Sequence, residues 1–211
     1  MRVYHFLPAN FALDDIEKRR IKISDLDQLN DPFELSCAYQ KDRRLRIALH
    51  GYKKEMSARY GLLCFSKPWH NPVLWSHYAE KHRGICLGFE IDANRLEAIR
   101  YVTDRPTLPI PLDLEDAKQL LFVKYRGWKY EEEWRGWIRL DERDVATTFY
   151  FYPFDGIVQL REVIAGPICN VPKTKIDEAL RGYADKIPVI KARLAFKTFR
   201  VVKNRKGFQP T

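Results

Sequence analysis

The stretch Trp128-Lys129-Tyr130-Glu131-Glu132-Glu133-Trp134-Arg135-Gly136-Trp137 sets three acids among three tryptophans, a tyrosine and an arginine. Read as a strand, its side chains alternate between two faces. Tyr130, Glu132, Trp134 and Gly136 then share one face, and Glu131, Glu133, Arg135 and Trp137 share the other. Two carboxylates spaced i, i+2 point the same way, and like charges that close need either solvent or a cationic partner. The plain reading is an amphipathic edge strand with a solvated acidic face, balanced by Arg135. A functional reading needs support from the rest of the chain.

The 211 residues fit one domain, spanning 1–211, with enough apolar and aromatic side chains to bury a core. No apolar run approaches the ~20 residues that span a bilayer. The first eight residues have too short an apolar run for a secretory segment, so a cytoplasmic protein that does not enter membranes is expected. Cys37, Cys64, Cys86 and Cys169 lack metal-binding spacing, and Cys64 and Cys86 read as small core residues.

The net charge of +9 is unevenly placed. From Val171 to Thr211 there are 11 Lys+Arg against 3 Asp+Glu, so this segment carries +8 and the preceding 170 residues only +1. Such a basic segment attracts nucleic acid or another polyanion, or serves as a solubilising face.

Periodicity predicts strands over Val3–Leu7, Ile21–Ile23, Leu62–Ser66 and Ile85–Ile91, the last alternating cleanly. Further strands are expected near Phe122–Tyr125, Glu132–Leu140, Thr147–Tyr152 and Val163–Ala165, with a terminal pair in Pro188–Val202. Helices are expected over Leu13–Lys18, Asp42–Tyr60 (stopped by Gly61), Asp113–Leu121 and Lys173–Ala184. Another begins at Asn71-Pro72, where Asn caps and Pro suits the first turn, and ends at Gly84. Pro106–Pro111 reads as a loop. The expected fold class is α+β, a single domain with many short, mostly antiparallel strands and flanking helices.

Four blocks in order carry a resemblance: Tyr4-His-Phe6, Leu29-Asn-Asp-Pro-Phe-Glu34, Trp75-Ser-His-Tyr-Ala79 with Gly84-Ile-Cys-Leu-Gly-Phe-Glu90, and Tyr130-Glu-Glu-Glu-Trp-Arg135. With Glu162-Val-Ile-Ala-Gly-Pro167 they resemble the bacterial and phage-borne family catalogued as domain of unknown function 2971. That family name supplies no activity; proximity of some relatives to phage-defence genes implies a role there. More distantly, the layout is similar to ADP-ribosyltransferases, which place a His on the first strand, a Ser or Tyr on a later one and a Glu on another. The likeness implies a split sheet and NAD as substrate.

On that likeness, Glu133 is the candidate catalytic carboxylate, Glu131 the residue that activates an acceptor, and His5 the group that orients the ribose. Breaking the nicotinamide–ribose bond builds positive charge on the sugar, which a carboxylate stabilises. Ser66 is a further cofactor-binding candidate, Trp75 or Tyr78 would stack on the nicotinamide, and Arg83 or Arg135 would hold the pyrophosphate. Each also has a structural reading: His5 as a half-buried histidine, Trp75 and Tyr78 as core. Glu34 and Glu90 have no partner identifiable from sequence. The five histidines are irregularly spaced and no H-E-x-x-H occurs, so no metal is expected. The alternatives are a non-enzymatic nucleic-acid or protein-binding module and, third, a nuclease.

Overall fold

A computed structural model describes residues 1–34, 38, 42–109 and 113–208. Cys37 and the end of the proline-rich stretch, residues 110 and 111, lie outside them. The fold is mixed α+β, with a large, mostly antiparallel sheet and flanking helices. In chain order the elements begin with β1 (Arg2–Leu7), α1 (Ala9–Glu17), β2 (Arg20–Lys22), β3 (Ser24–Asp25), α2 (Arg43–Ser57) and β4 (Tyr60–Ser66). Next come α3 (Pro72–Tyr78), β5 (Ile85–Ile91), β6 (Glu97–Ala98), β7 (Arg100–Val102), α4 (Leu114–Gln119) and β8 (Val123–Tyr125). The chain continues with β9 (Glu133–Arg139), β10 (Phe151–Pro153), β11 (Val158–Ala165), α5 (Lys173–Ala179), β12 (Val189–Leu194) and β13 (Val201–Lys203).

The chain divides into two compact units, one formed by residues 1–21, 65–93 and 152–211, the other by 22–64 and 94–151. In the first, the strand order is β13-β12-β11-β5-β1. Strand β5 pairs antiparallel with β1 on one side and β11 on the other, and Ile85–Phe89 is buried throughout rather than on one face. Trp75, Ile85, Leu87 and Phe89 are wholly buried, whereas Tyr78 is only half-buried. Asn71 caps α3 as the sequence predicts, its side chain accepting a hydrogen bond from the Val73 amide at 2.9 Å.

Gly84 does not end that helix, as the sequence suggests, but serves the sheet. A side chain there would run into the Leu7 carbonyl oxygen and the Ala79 backbone, so glycine lets β5 start against the end of β1. The helix itself ends earlier, at Tyr78, and Glu80, Lys81 and His82 follow with φ of 47°, 53° and 71°.

In the second unit, β4 lies beside β9, which lies beside β6, while β3 pairs with β4. Its core gathers Leu45, Leu49 and Met56 of α2 with Leu62, Leu120, Leu121, Phe122 and Val123. Helix α2 is capped by Asp42, whose carboxylate accepts from the Arg44 amide, and stops at Ser57. Gly61 is therefore not the helix stop that the sequence suggests. It lies within β4, where any Cβ would collide with Ile23 and the Ser24 carbonyl oxygen on β3. Other ends differ as well: α1 starts four residues before the expected Leu13, after Pro8; α5 closes at Ala179; β11 starts at Val158; and the strand expected over Thr147–Tyr152 is only Phe151–Pro153. The pairs β7–β8 and β11–β12 are parallel.

Candidate functional site

The acidic–aromatic block lies in the second unit and is not one continuous strand. Arg126–Glu131 winds as a 3₁₀ helix, Glu132 takes a left-handed conformation with φ of 43°, and β9 begins only at Glu133. Glu131 therefore reaches the interior from a helical turn rather than from the strand. The left-handed residue between them still brings both carboxylates to one cation. Lys124 Nζ on β8 lies 2.7 Å from Glu131 Oε2 and 3.2 Å from Glu133 Oε2.

Arg135 sits two residues along β9, on the same face as Glu133. Its Nε donates to Glu133 Oε1 at 2.7 Å and its Nη2 to Oε2 at 3.1 Å, while Nη1 donates to the Leu121 carbonyl at 2.6 Å. Glu34 completes the group: its two oxygens lie 3.3 Å from Lys124 Nζ and 2.7 Å from Arg135 Nη1. Tyr101 accepts the Glu133 backbone amide at 2.9 Å, and Trp128 places its ring 4.9 Å from the Lys124 ammonium. The register Tyr101↔Lys124 puts these two on one side of the parallel β7–β8 pair.

All five charged residues are at most 6% exposed. Burial alone pushes the Glu133 carboxyl upward, yet Arg135 and Lys124 outweigh it and hold it below the usual carboxylate range. Burial would release the Lys124 proton, but Glu133, Glu34 and Glu131 hold it more tightly than in water. Burial, then the neighbouring Glu133, pushes the Cys64 thiol up, so Cys64 is a neutral hydrogen-bonding neighbour of that carboxylate and not a thiolate. Burial likewise raises the Tyr101 phenol to about 12, opposed by its bond to Glu133 and reinforced by the nearby carboxylate charges. Three carboxylates thus face two cations. Buried charge is retained where ion pairs and hydrogen bonds replace lost hydration; the guanidinium fork and the ammonium do so for Glu131 and Glu133, while Glu34 is held by its ion pairs.

Two of the residues expected to bind a cofactor are corrected by this geometry. Arg135 is 1% exposed with its guanidinium committed to Glu133, Glu34 and Leu121, so it has no free edge for a pyrophosphate. Trp75, in the first unit, has no exposed face for a nicotinamide. Its ring meets the edge of Phe6 at 5.2 Å, and Nε1 donates to the Trp69 carbonyl at 2.6 Å.

The remaining candidates also lie in the first unit. Tyr4 pairs with Ser66, so the alternation of the pleat puts His5 on the other face, opposite Phe65, whose ring it meets edge-on at 6.0 Å. His5 and Ser66 sit on neighbouring strands but project from opposite faces. Ser66 is buried, Tyr78 half-buried and His77 exposed. Arg83 is exposed and lines a cavity of about 570 Å³ with Glu80, Asn170 and Lys175. Glu90 gains the partner that the sequence did not reveal: Arg2 bridges it at 3.3 Å to Glu162 at 2.6 Å. Among the described residues, no three His, Cys, Asp or Glu side chains are grouped so as to hold a metal ion. Nor is any described helix long and apolar enough to cross a membrane.

Sequence reasoning missed Glu34 and Lys124. The signal available for Lys124 was its place in Leu120-Leu-Phe-Val-Lys124, an apolar run in which a lysine must find buried acids. No family model matches the chain, and no curated protein or solved structure matches it either, so its resemblances rest on the sequence blocks alone.

Proposed function

We propose that this chain is a non-catalytic module that binds nucleic acid through its basic segment, Val171–Thr211, with the acidic–aromatic block acting as an internal framework. One contrast carries the reading. The carboxylates best suited to chemistry are sealed with Lys124 and Arg135, whereas Lys197, Arg200, Lys203, Arg205 and Lys206 are exposed. No acidic residue occurs in 186–211 to neutralise them. Exposed cations in that density attract phosphates without regard to sequence. The test is binding to oligonucleotides of unrelated sequence at low ionic strength, with Lys203, Arg205 and Lys206 changed to Gln. Similar weakening for every sequence supports the reading, and no binding by the unmodified protein removes it.

A second reading is ADP-ribosyl transfer from NAD to a macromolecule, in the setting of phage defence. It is favoured by the meeting of Glu131 and Glu133 at a single ammonium, with Glu34 beside them. The excess of carboxylate over cation complements the positive charge that develops on a ribosyl group. Glu133 would have to release part of its contact with Arg135 to act there. Nicotinamide release from NAD separates the two readings.

A further inference from the structure

We propose that the tip of the β12–β13 hairpin is a stacking platform for the bases of single-stranded nucleic acid, with Phe196 and Phe199 as its rings. The proposal deepens the nucleic-acid-binding reading and rests on it. Strands β12 and β13 pair from Ala192↔Lys203 to Leu194↔Val201, and the Ala195 amide donates to the Arg200 carbonyl at 2.9 Å to close the loop. The tip so formed is Ala195-Phe-Lys-Thr-Phe-Arg200. Phe196 is 89% and Phe199 98% exposed. Two phenyl rings held in water at the end of a closed hairpin gain nothing from the core of their own unit. A solubilising turn has no use for them.

Their surroundings indicate the partner. The Arg193 guanidinium lies 4.4 Å from the centroid of Phe196, steadying that ring by a cation–π contact. Residues 186–211 hold eight Lys+Arg and no Asp or Glu, so the hairpin's own chain brings cations and no acid to the rings. Aromatic faces beside cations that follow a phosphate backbone are how proteins hold single strands, because every base offers a π-face. A duplex keeps those faces within its own stack. An anionic membrane fits less well. Lys197 and Thr198 stand between the two rings at the apex, so sinking the phenyl groups into the acyl region would carry an ammonium in with them.

The experiment is a fluorescence-anisotropy titration of the full chain with a labelled single-stranded oligonucleotide, its duplex, and phosphatidylserine vesicles. It compares the unmodified protein with Phe196→Ala/Phe199→Ala, Phe196→Leu/Phe199→Leu and Phe196→Trp/Phe199→Trp. Circular dichroism should be unchanged, because the rings support no core. The expected result is tighter binding of single strand than duplex and a loss of at least ~10-fold with the alanine pair, the scale of base–aromatic stacking. The leucine pair should remain weak, the tryptophan pair should bind at least as well as phenylalanine, and the salt dependence should stay unchanged. If the alanine pair binds single strands as tightly as the unmodified protein, the platform is overturned while the binding-module reading stands. Binding to vesicles but to neither nucleic acid overturns both, as does an absence of binding at low salt.

Discussion

Glu133 and Arg135, two residues apart on one face of β9, form a two-pronged ion pair with contacts of 2.7 and 3.1 Å. Successive side chains of a strand point to opposite faces, so the i, i+2 spacing presents both groups to the same interior. The third donor of Arg135 reaches the Leu121 carbonyl, and this ties β9 to the segment leading into β8. Arg135→Lys keeps the charge but loses the fork. It should cost about 1.5–3 kcal/mol in chemical denaturation, as for hydrogen bonds to charged groups. Full retention of stability would mean that the pair is idle.

Lys124→Met keeps most of the side-chain volume but leaves Glu34, Glu131 and Glu133 without their shared ammonium. Breaking one partner out of a buried network should cost about 3–5 kcal/mol near neutral pH. In the unmodified protein, the lowered Glu133 value contributes stability that is complete above the ordinary 4.5 and is lost as pH falls through its folded value. The raised Lys124 value contributes stability that is complete below the ordinary 10.5 and is lost only as pH rises beyond it. These two groups therefore hold stability level between those limits. Without the lysine, Glu133 loses one of the two cations that hold it low against burial, so the deficit should shrink between pH 7.5 and pH 5. Urea melts at both values check this, and a deficit that grows on acidification would contradict it.

Leu87 is wholly buried between His5 on β1 and Val163 on β11. Leu87→Ala should cost ~2–5 kcal/mol, as transfer and cavity effects combine. A loss below about 1 kcal/mol would contradict the central place of β5.

Glu133→Gln distinguishes framework from chemistry. As framework, it loses its charge beside Arg135 and Lys124 and destabilises the second unit, while oligonucleotide affinity at a temperature where it remains folded is unchanged. As the carboxylate of a transferase, it would still bind NAD but lower nicotinamide release by at least ~10²-fold. Denaturation and nicotinamide-release assays on the same preparation give the answer, and measurable release by the unmodified protein would favour the transferase.

Local chemistry made part of this fold legible. Asn71-Pro72 announced α3, and the apolar run Ile85–Ile91 announced β5, because caps and periodicity act over a few residues. Gly61 and Gly84 look like helix stops in the sequence, but what they avoid is backbone brought close by the fold, Ser24 for one and Leu7 for the other. The parallel pairs could not be read, since nothing near Arg100 specifies Val123 as its partner. At the candidate site, the alternation of Glu133 and Arg135 was visible, but Glu34, about a hundred residues earlier, was not. Without Glu34 and Lys124, the acidic run looked short of cations and open to a ligand. With them, it is an ion-pair network.

The salt dependence of single-stranded oligonucleotide binding tests the central claim most directly. Each cation that meets a phosphate on a single strand contributes about −0.7 to the slope of log K against log salt. The unmodified chain should therefore bind more weakly as salt rises, and changing Lys203, Arg205 and Lys206 to Gln should flatten that slope by about 2 for any sequence. A slope near zero, or one unaltered by the triple change, would contradict the account.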